Sequence, residues 1–78
     1  MEKMFLAFVA GIMGVEQDDL SLDTAYKHYD KWDSLMMVRL IMELEDEYDI
    51  VIPLEEITAV NRLADLYAFT QAGRHEVA

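Results

Sequence analysis

The residues best placed to take part in chemistry are Asp33 and Ser34, in the run Trp32-Asp33-Ser34-Leu35 at mid-chain. Asp33 is a good helix N-cap residue, and an apolar-periodic run follows it, so Ser34 falls at a helix start. A serine there faces unpaired backbone N–H groups and the positive end of the helix dipole. An anionic group held there would be favoured. Ser34 is not an activated nucleophile in its own right. No histidine stands near it in sequence to act as a base, and His28 and His75 are isolated.

A second candidate is the acidic stretch over residues 43–57. It holds seven acids (Glu43, Glu45, Asp46, Glu47, Asp49, Glu55, Glu56) and no base. Its simplest reading is a solvated helix end that is also the main source of negative field. Like any such cluster it can bind divalent ions weakly, and the EF-hand pattern is absent elsewhere in the chain. An EF-hand needs oxygen ligands at alternate positions and a central glycine, and Leu20 and Leu22 break that pattern after Asp18. There is no glycine-rich phosphate loop and no histidine pair. Cysteine is absent, which excludes disulfides, thiolate zinc sites and thiol catalysis.

The elements that must position these residues are helices. Met37, Leu40, Ile41, Leu44 and Tyr48 recur at i, i+3, i+4, i+7 and i+11, one buried stripe on a helix from Ser34 to about Tyr48. Leu35, Val38 and Met42 lie beside that stripe and do not all fit on the same face. Met4–Val15 is uncharged but too short for a bilayer span. It reads as an amphipathic first helix over about residues 2–14. Phe5, Phe8, Val9 and Ile12 face inward, Ala7, Ala10 and Gly11 face the other side, and the helix ends near Gly14. Residues 15–33 read as a long loop, pinned across a helix surface by Leu20, Leu22, Tyr26 and Trp32, with a short turn starting at Asp23 or Thr24. Ile50–Ile52 precede Pro53 and read as extended. A short helix over 55–59 follows. Asn61 is expected to cap a last helix over about 62–72 that buries Leu63, Leu66, Tyr67 and Thr70. Gly73 is expected to close it, and residues 74–78 to fray. The expected fold is all-α: a small bundle of three long helices plus one short helix, with a long loop between the first two.

The chain of 78 residues is expected to form a single domain, 1–78, with a modest core. Apolar types make up 54% of it, too many for a disordered tail. Sixteen acids against six bases leave a net charge of −10, which repels nucleic acid and anionic membranes and favours partners with basic patches. A small acidic binding or carrier module fits these constraints better than an independent enzyme.

The chain resembles the acyl carrier proteins and the related peptidyl carrier domains, whose signature is Asp-Ser-Leu at the start of the second helix. Asp33-Ser34-Leu35 matches that signature. Leu40, Leu44, Glu45, Asp46, Glu47, Tyr48 and Asp49, then Ile52-Pro53 and Glu55-Glu56-Ile57, are similar to the family pattern that follows it. The resemblance implies that Ser34 carries 4′-phosphopantetheine, taken from coenzyme A by a phosphopantetheinyl transferase. It implies that Asp33 helps position that enzyme and its magnesium ion besides capping the helix. It places partner docking on Leu35, Met36, Val38, Arg39, Met42, Glu45 and Asp46. A place in the core is the alternative for Val38. Met37, Ile41, Leu44, Ile57 and Val60 are the candidates to line a cavity for a short acyl chain.

The implied function is a cytoplasmic, monomeric, non-catalytic acyl carrier. It serves acyl-activating, condensing or acyltransferase enzymes with basic docking surfaces, in fatty-acid, polyketide or other specialised biosynthesis. A peptidyl or aminoacyl carrier and a non-carrier acidic interaction module are the alternatives. Met36 and Arg39 depart from the family pattern, where an acidic or small polar residue and an acid are common. The face near Ser34 is thus apolar and locally basic, which fits a dedicated biosynthetic cluster at least as well as a fatty-acid synthase. Leu54 leaves the short third helix without an obvious cap.

Overall fold

A computed structural model describes the backbone of residues 2–77 and the side chains of residues 2–71. Four α-helices follow in chain order: α1 Glu2–Met13, α2 Ser34–Tyr48, α3 Leu54–Ile57 and α4 Leu63–Val77. There is no strand among the described residues, and the expected all-α bundle is what forms. Met1 and Ala78 lie outside the described residues.

α1 ends as expected. Gly14 takes the left-handed conformation at φ 72°, and the N–H groups of Gly14 and Val15 both donate to the Ala10 carbonyl, at 2.9 and 3.1 Å. Its buried face is wider than the predicted stripe and differs from it. Phe5, Leu6, Val9, Ala10 and Met13 are buried, whereas Phe8 and Ile12 are only half-buried. The reason is that α1 packs on three elements, the Gln17–Asp19 turn, α2 and α4. Phe5 packs against Tyr67 of α4 with ring centroids 5.1 Å apart, and Phe8 meets Tyr48 of α2 edge-on at 6.2 Å.

The segment between α1 and α2 contains two single 3₁₀ turns, Gln17–Asp19 and Tyr26–His28. Between them Ser21, not Asp23 or Thr24, opens a turn. The Thr24 N–H donates to the Ser21 carbonyl at 3.1 Å, and the Asp23 N–H donates to the Ser21 Oγ at 3.1 Å. Leu20 and Trp32 are buried, and Leu22, Tyr26 and Tyr29 are half-buried. These residues pin the segment to the bundle. Its backbone is tied as well. The Leu63 N–H donates to the Thr24 carbonyl at 3.0 Å, the Ala64 N–H to the Leu22 carbonyl at 2.9 Å, and the Tyr26 N–H to the Asn61 carbonyl at 2.8 Å.

These bonds overturn the expected cap of the last helix. Asn61 does not cap it; its Nδ2 donates to the Ala59 carbonyl. The first N–H groups of α4 are met by loop carbonyls instead. Asp65 Oδ2 accepts the N–H groups of Asn61 and Arg62, at 2.8 and 3.0 Å. The other end also differs, because α4 continues through Gly73 to Val77. A glycine inside a helix costs only about 1 kcal/mol and does not by itself end it.

Asp65 carries a testable consequence. The N–H of Asn61 is the main cause that holds its carboxyl below the ordinary aspartate range, against a smaller opposing effect of partial burial. The N–H and charge of Arg62 help. A carboxyl lowered in the folded state contributes stability above its unfolded value of about 3.9 and loses it as pH falls through the folded value. Asp65→Ala is therefore expected to cost about 1 kcal/mol at pH 7. The gap from wild type should close below the folded value. A series of urea titrations from pH 7 down through the acid range checks it, with the gap narrowing as pH falls.

α3 begins at Leu54, one residue earlier than expected, and Pro53 before it supplies no side-chain cap. Residues 50–53 form neither helix nor strand, and Pro53 is extended; Ile50 and Ile52 are buried and Val51 is exposed.

Candidate functional site

Ser34 is the first residue of α2 and is exposed. Asp33 stands before it in extended conformation. Its Oδ1 accepts the Met36 N–H at 2.8 Å, and its carbonyl accepts the Met37 N–H at 2.9 Å. The N–H groups of Ser34 and Leu35 have no protein acceptor among the described residues. The helix start thus keeps two donors free beside the serine hydroxyl. What holds this start in place is Trp32, 2% exposed, whose ring meets Tyr26 edge-on at 5.4 Å. Its buried Nε1–H has no hydrogen-bond partner among the described residues.

Two concavities flank Ser34, and Val38 belongs to the wall of both. The first is a cleft of about 350 Å³ with Ser34 on its rim. Met37, Val38, Ile57 and Val60 supply its apolar lining, and Tyr26, Lys27, Thr58 and Asn61 its polar side. Ile41 and Leu44 do not line this cleft; they are buried in the bundle core with Leu40. The stripe they share with Met37 runs along α2 toward Tyr48, while the cleft opens only at the Ser34 end. The second concavity is a groove of about 410 Å³, walled by Leu35, Met36, Val38 and Met42 and edged by Lys31, Asp33, Arg39 and Glu43.

The apolar residues of this groove face solvent. Leu35 is 80% exposed, Met42 64% and Val38 55%, so Val38 is not a core residue. Met36 is half-buried and packs against the core. Arg39 is exposed, and among the described residues it forms no ion pair with Glu43; the pair that does form is Arg62–Asp23 at 3.6 Å. Asp46 and Glu47 are exposed. Glu45 is not free in the same way. Its Oε2 accepts the Ile52 N–H at 2.8 Å and ties the 50–53 segment to α2.

Sequence reasoning missed Lys27 and Lys31 as site residues. The signal was their spacing: three of the six bases, Lys27, Lys31 and Arg39, fall within thirteen positions around Ser34. It also missed Tyr26, Thr58 and Asn61 as cleft residues, which no local pattern marks. No cluster of three or more metal-ligating side chains occurs among the described residues. No helix among them is long and apolar enough to cross a membrane.

Residues 5–70 match the family described as phosphopantetheine attachment site, a span that runs from within α1 to within α4 and includes Ser34 with both concavities. The match covers most of the chain. The chain therefore belongs to the phosphopantetheine attachment site family, and it is a carrier protein that binds 4′-phosphopantetheine as a covalent prosthetic group.

Proposed function

We propose that Ser34 is the attachment residue and that the protein is a non-catalytic acyl carrier, cytoplasmic and monomeric. It delivers acyl intermediates to partner enzymes of fatty-acid, polyketide or other specialised biosynthesis. When attached, the arm supplies a thiol on which the acyl group is held as a thioester. The protein's own residues do the rest. Ser34 offers the hydroxyl, and the free N–H groups of Ser34 and Leu35 favour the phosphodiester charge. Asp33 keeps the helix start in one conformation. Met37, Ile57 and Val60 offer an apolar wall to a short acyl chain.

The observation that carries this reading is the cleft that opens beside Ser34 on a chain of the carrier family. It favours an acyl cargo over an aminoacyl one, since its floor is apolar. Met36 and Arg39 favour a dedicated biosynthetic system over a general fatty-acid synthase, whose basic surface would meet the Arg39 charge.

The test is loading. With coenzyme A, magnesium and a broad-specificity transferase, the intact mass should rise by one phosphopantetheine group. The holo protein should then take a short acyl group from an acyl-activating enzyme. A mass that does not rise in wild type overturns the carrier reading and leaves an interaction module.

A further inference from the structure

We infer that the corner between α1 and the end of α2, walled by the rings of Phe8 and Tyr48 and rimmed by Glu47 and Asp49, binds a small organic cation of the quaternary ammonium class. This corner lies apart from Ser34 and from the groove of Leu35, Val38 and Met42. It does not depend on the carrier reading.

The corner is a cavity of about 480 Å³ lined by Met4, Phe8, Glu47, Tyr48 and Asp49. That volume falls within the range of small-ligand sites. Helix geometry sets its position. Glu47 comes thirteen residues after Ser34, roughly 20 Å along α2, and sits about 140° round the helix from Met42. α1 supplies the other wall through Met4 and Phe8, so the cavity is not part of the face beside the attachment end.

The rings set the chemistry first. Phe8 and Tyr48 stand at 87° with centroids 6.2 Å apart. A T-shaped pair leaves one face of each ring along the angle between them, and ring faces are the negative side of the aromatic quadrupole. A quaternary ammonium in that angle packs its methyl groups on both faces while its charge is attracted to them. Met4 stands one turn before Phe8, is 71% exposed, and adds a polarisable thioether.

Charge sets the sign. Glu47 and Asp49 are exposed, no base lines the cavity, and neither acid forms an ion pair among the described residues. Apolar walls under two uncompensated carboxylates suit a cation with an apolar surface. The same carboxylates repel the phosphate of a zwitterionic lipid headgroup, which favours a free cation as the occupant. A guanidinium is the rival, since it also stacks on ring faces and pairs with carboxylates.

The test is an NMR titration of the whole chain at constant ionic strength with choline, with its neutral tert-butyl isostere, and with methylguanidinium. Choline should bind about tenfold more tightly than the isostere, the difference expected of two ring contacts. Its shifts should centre on Met4, Phe8 and Tyr48. Glu47→Gln combined with Asp49→Asn should weaken choline about threefold and leave the isostere unchanged. Asparagine tolerates the left-handed backbone at this position, where φ is 55°, so the pair of changes keeps the fold. Phe8→Leu should remove most of the preference for choline, with circular dichroism unchanged.

Equal binding of choline and its isostere overturns the inference. So do the absence of choline binding, shifts centred elsewhere, or an affinity that the Glu47/Asp49 changes leave untouched. Tighter binding of methylguanidinium also overturns it, and assigns the corner to an arginine side chain of a partner. Choline should bind alike before and after loading of Ser34, and loss of binding on loading overturns the separation of the two sites. Failure of the carrier reading shows independently, as no mass gain on loading.

Discussion

Ser34→Ala is expected to gain no mass under conditions in which wild type gains one phosphopantetheine group. The effect is all-or-none because no other hydroxyl shares the setting of Ser34. The other serine, Ser21, accepts the Asp23 N–H within its own turn and stands at no helix start. Thr70 is fully buried and donates to the Tyr67 carbonyl at 2.6 Å. Folding should be untouched. The cap of α2 is the Asp33 carboxylate, not the Ser34 hydroxyl, and an exposed first-turn serine exchanged for alanine stays within about 0.5 kcal/mol. Circular dichroism and melting temperature should therefore match wild type while the mass does not move. Asp33→Ala is the informative companion: it keeps the hydroxyl, loses the cap at a cost of about 1 kcal/mol, and should load more slowly. An undiminished mass gain in Ser34→Ala would move the attachment elsewhere and remove the reason for the site described above.

Trp32→Ala is expected to cost about 3–5 kcal/mol, the range for deleting a large buried aromatic side chain. For a chain of this length the whole stability is on the order of 4–12 kcal/mol, so the variant loses a large share of it and should melt well below wild type. The indole is 2% exposed, meets Tyr26, and is the last buried residue before the Asp33 cap. Its loss frees the segment that presents Ser34.

Trp32→Phe separates packing from polarity. It keeps most of the ring and removes the buried Nε1–H that has no partner among the described residues, a group whose burial without one costs about 1–3 kcal/mol. That gain offsets the smaller ring, so Trp32→Phe should unfold within about 1 kcal/mol of wild type. Urea unfolding followed by circular dichroism measures both variants. A Trp32→Ala protein within 1 kcal/mol of wild type would show that the loop is held by its hydrogen bonds to α4 alone.

Ser34, Asp33 and the bounds of α2 were legible because their causes are local. A capping carboxylate, a stripe at helical spacing and the close of the helix after Tyr48 all act within a few residues. Gly14 was legible for the same reason, since only glycine takes φ 72° there without strain.

Other features lay outside local sequence because their partners are distant in the chain. The cap expected of Asn61 went to Asp65 and to the carbonyls of Leu22 and Thr24, some forty residues upstream. Glu45 looked like one more surface acid until the 50–53 segment folded back and placed the Ile52 N–H against it. Periodicity assigned Met37, Ile41 and Leu44 to one stripe, but could not say that α3 and Val60 reach only the Met37 end. The cleft therefore forms beside Ser34, and Ile41 and Leu44 remain core.

The sequence by itself determined the all-α class, the helix that carries the motif, and the serine at its start, because hydrophobic period and capping chemistry need no distant partner. Only the tertiary structure decided which side of that helix is cleft and which is groove. It also decided that Lys27 borders the cleft while Lys31 and Arg39 edge the groove. The physical reason is that a concavity belongs to no single segment. It is the space left when a loop pinned by Trp32, a helix capped by Asp33 and a short helix after Pro53 pack together, and its shape and sign exist only once all three are in place.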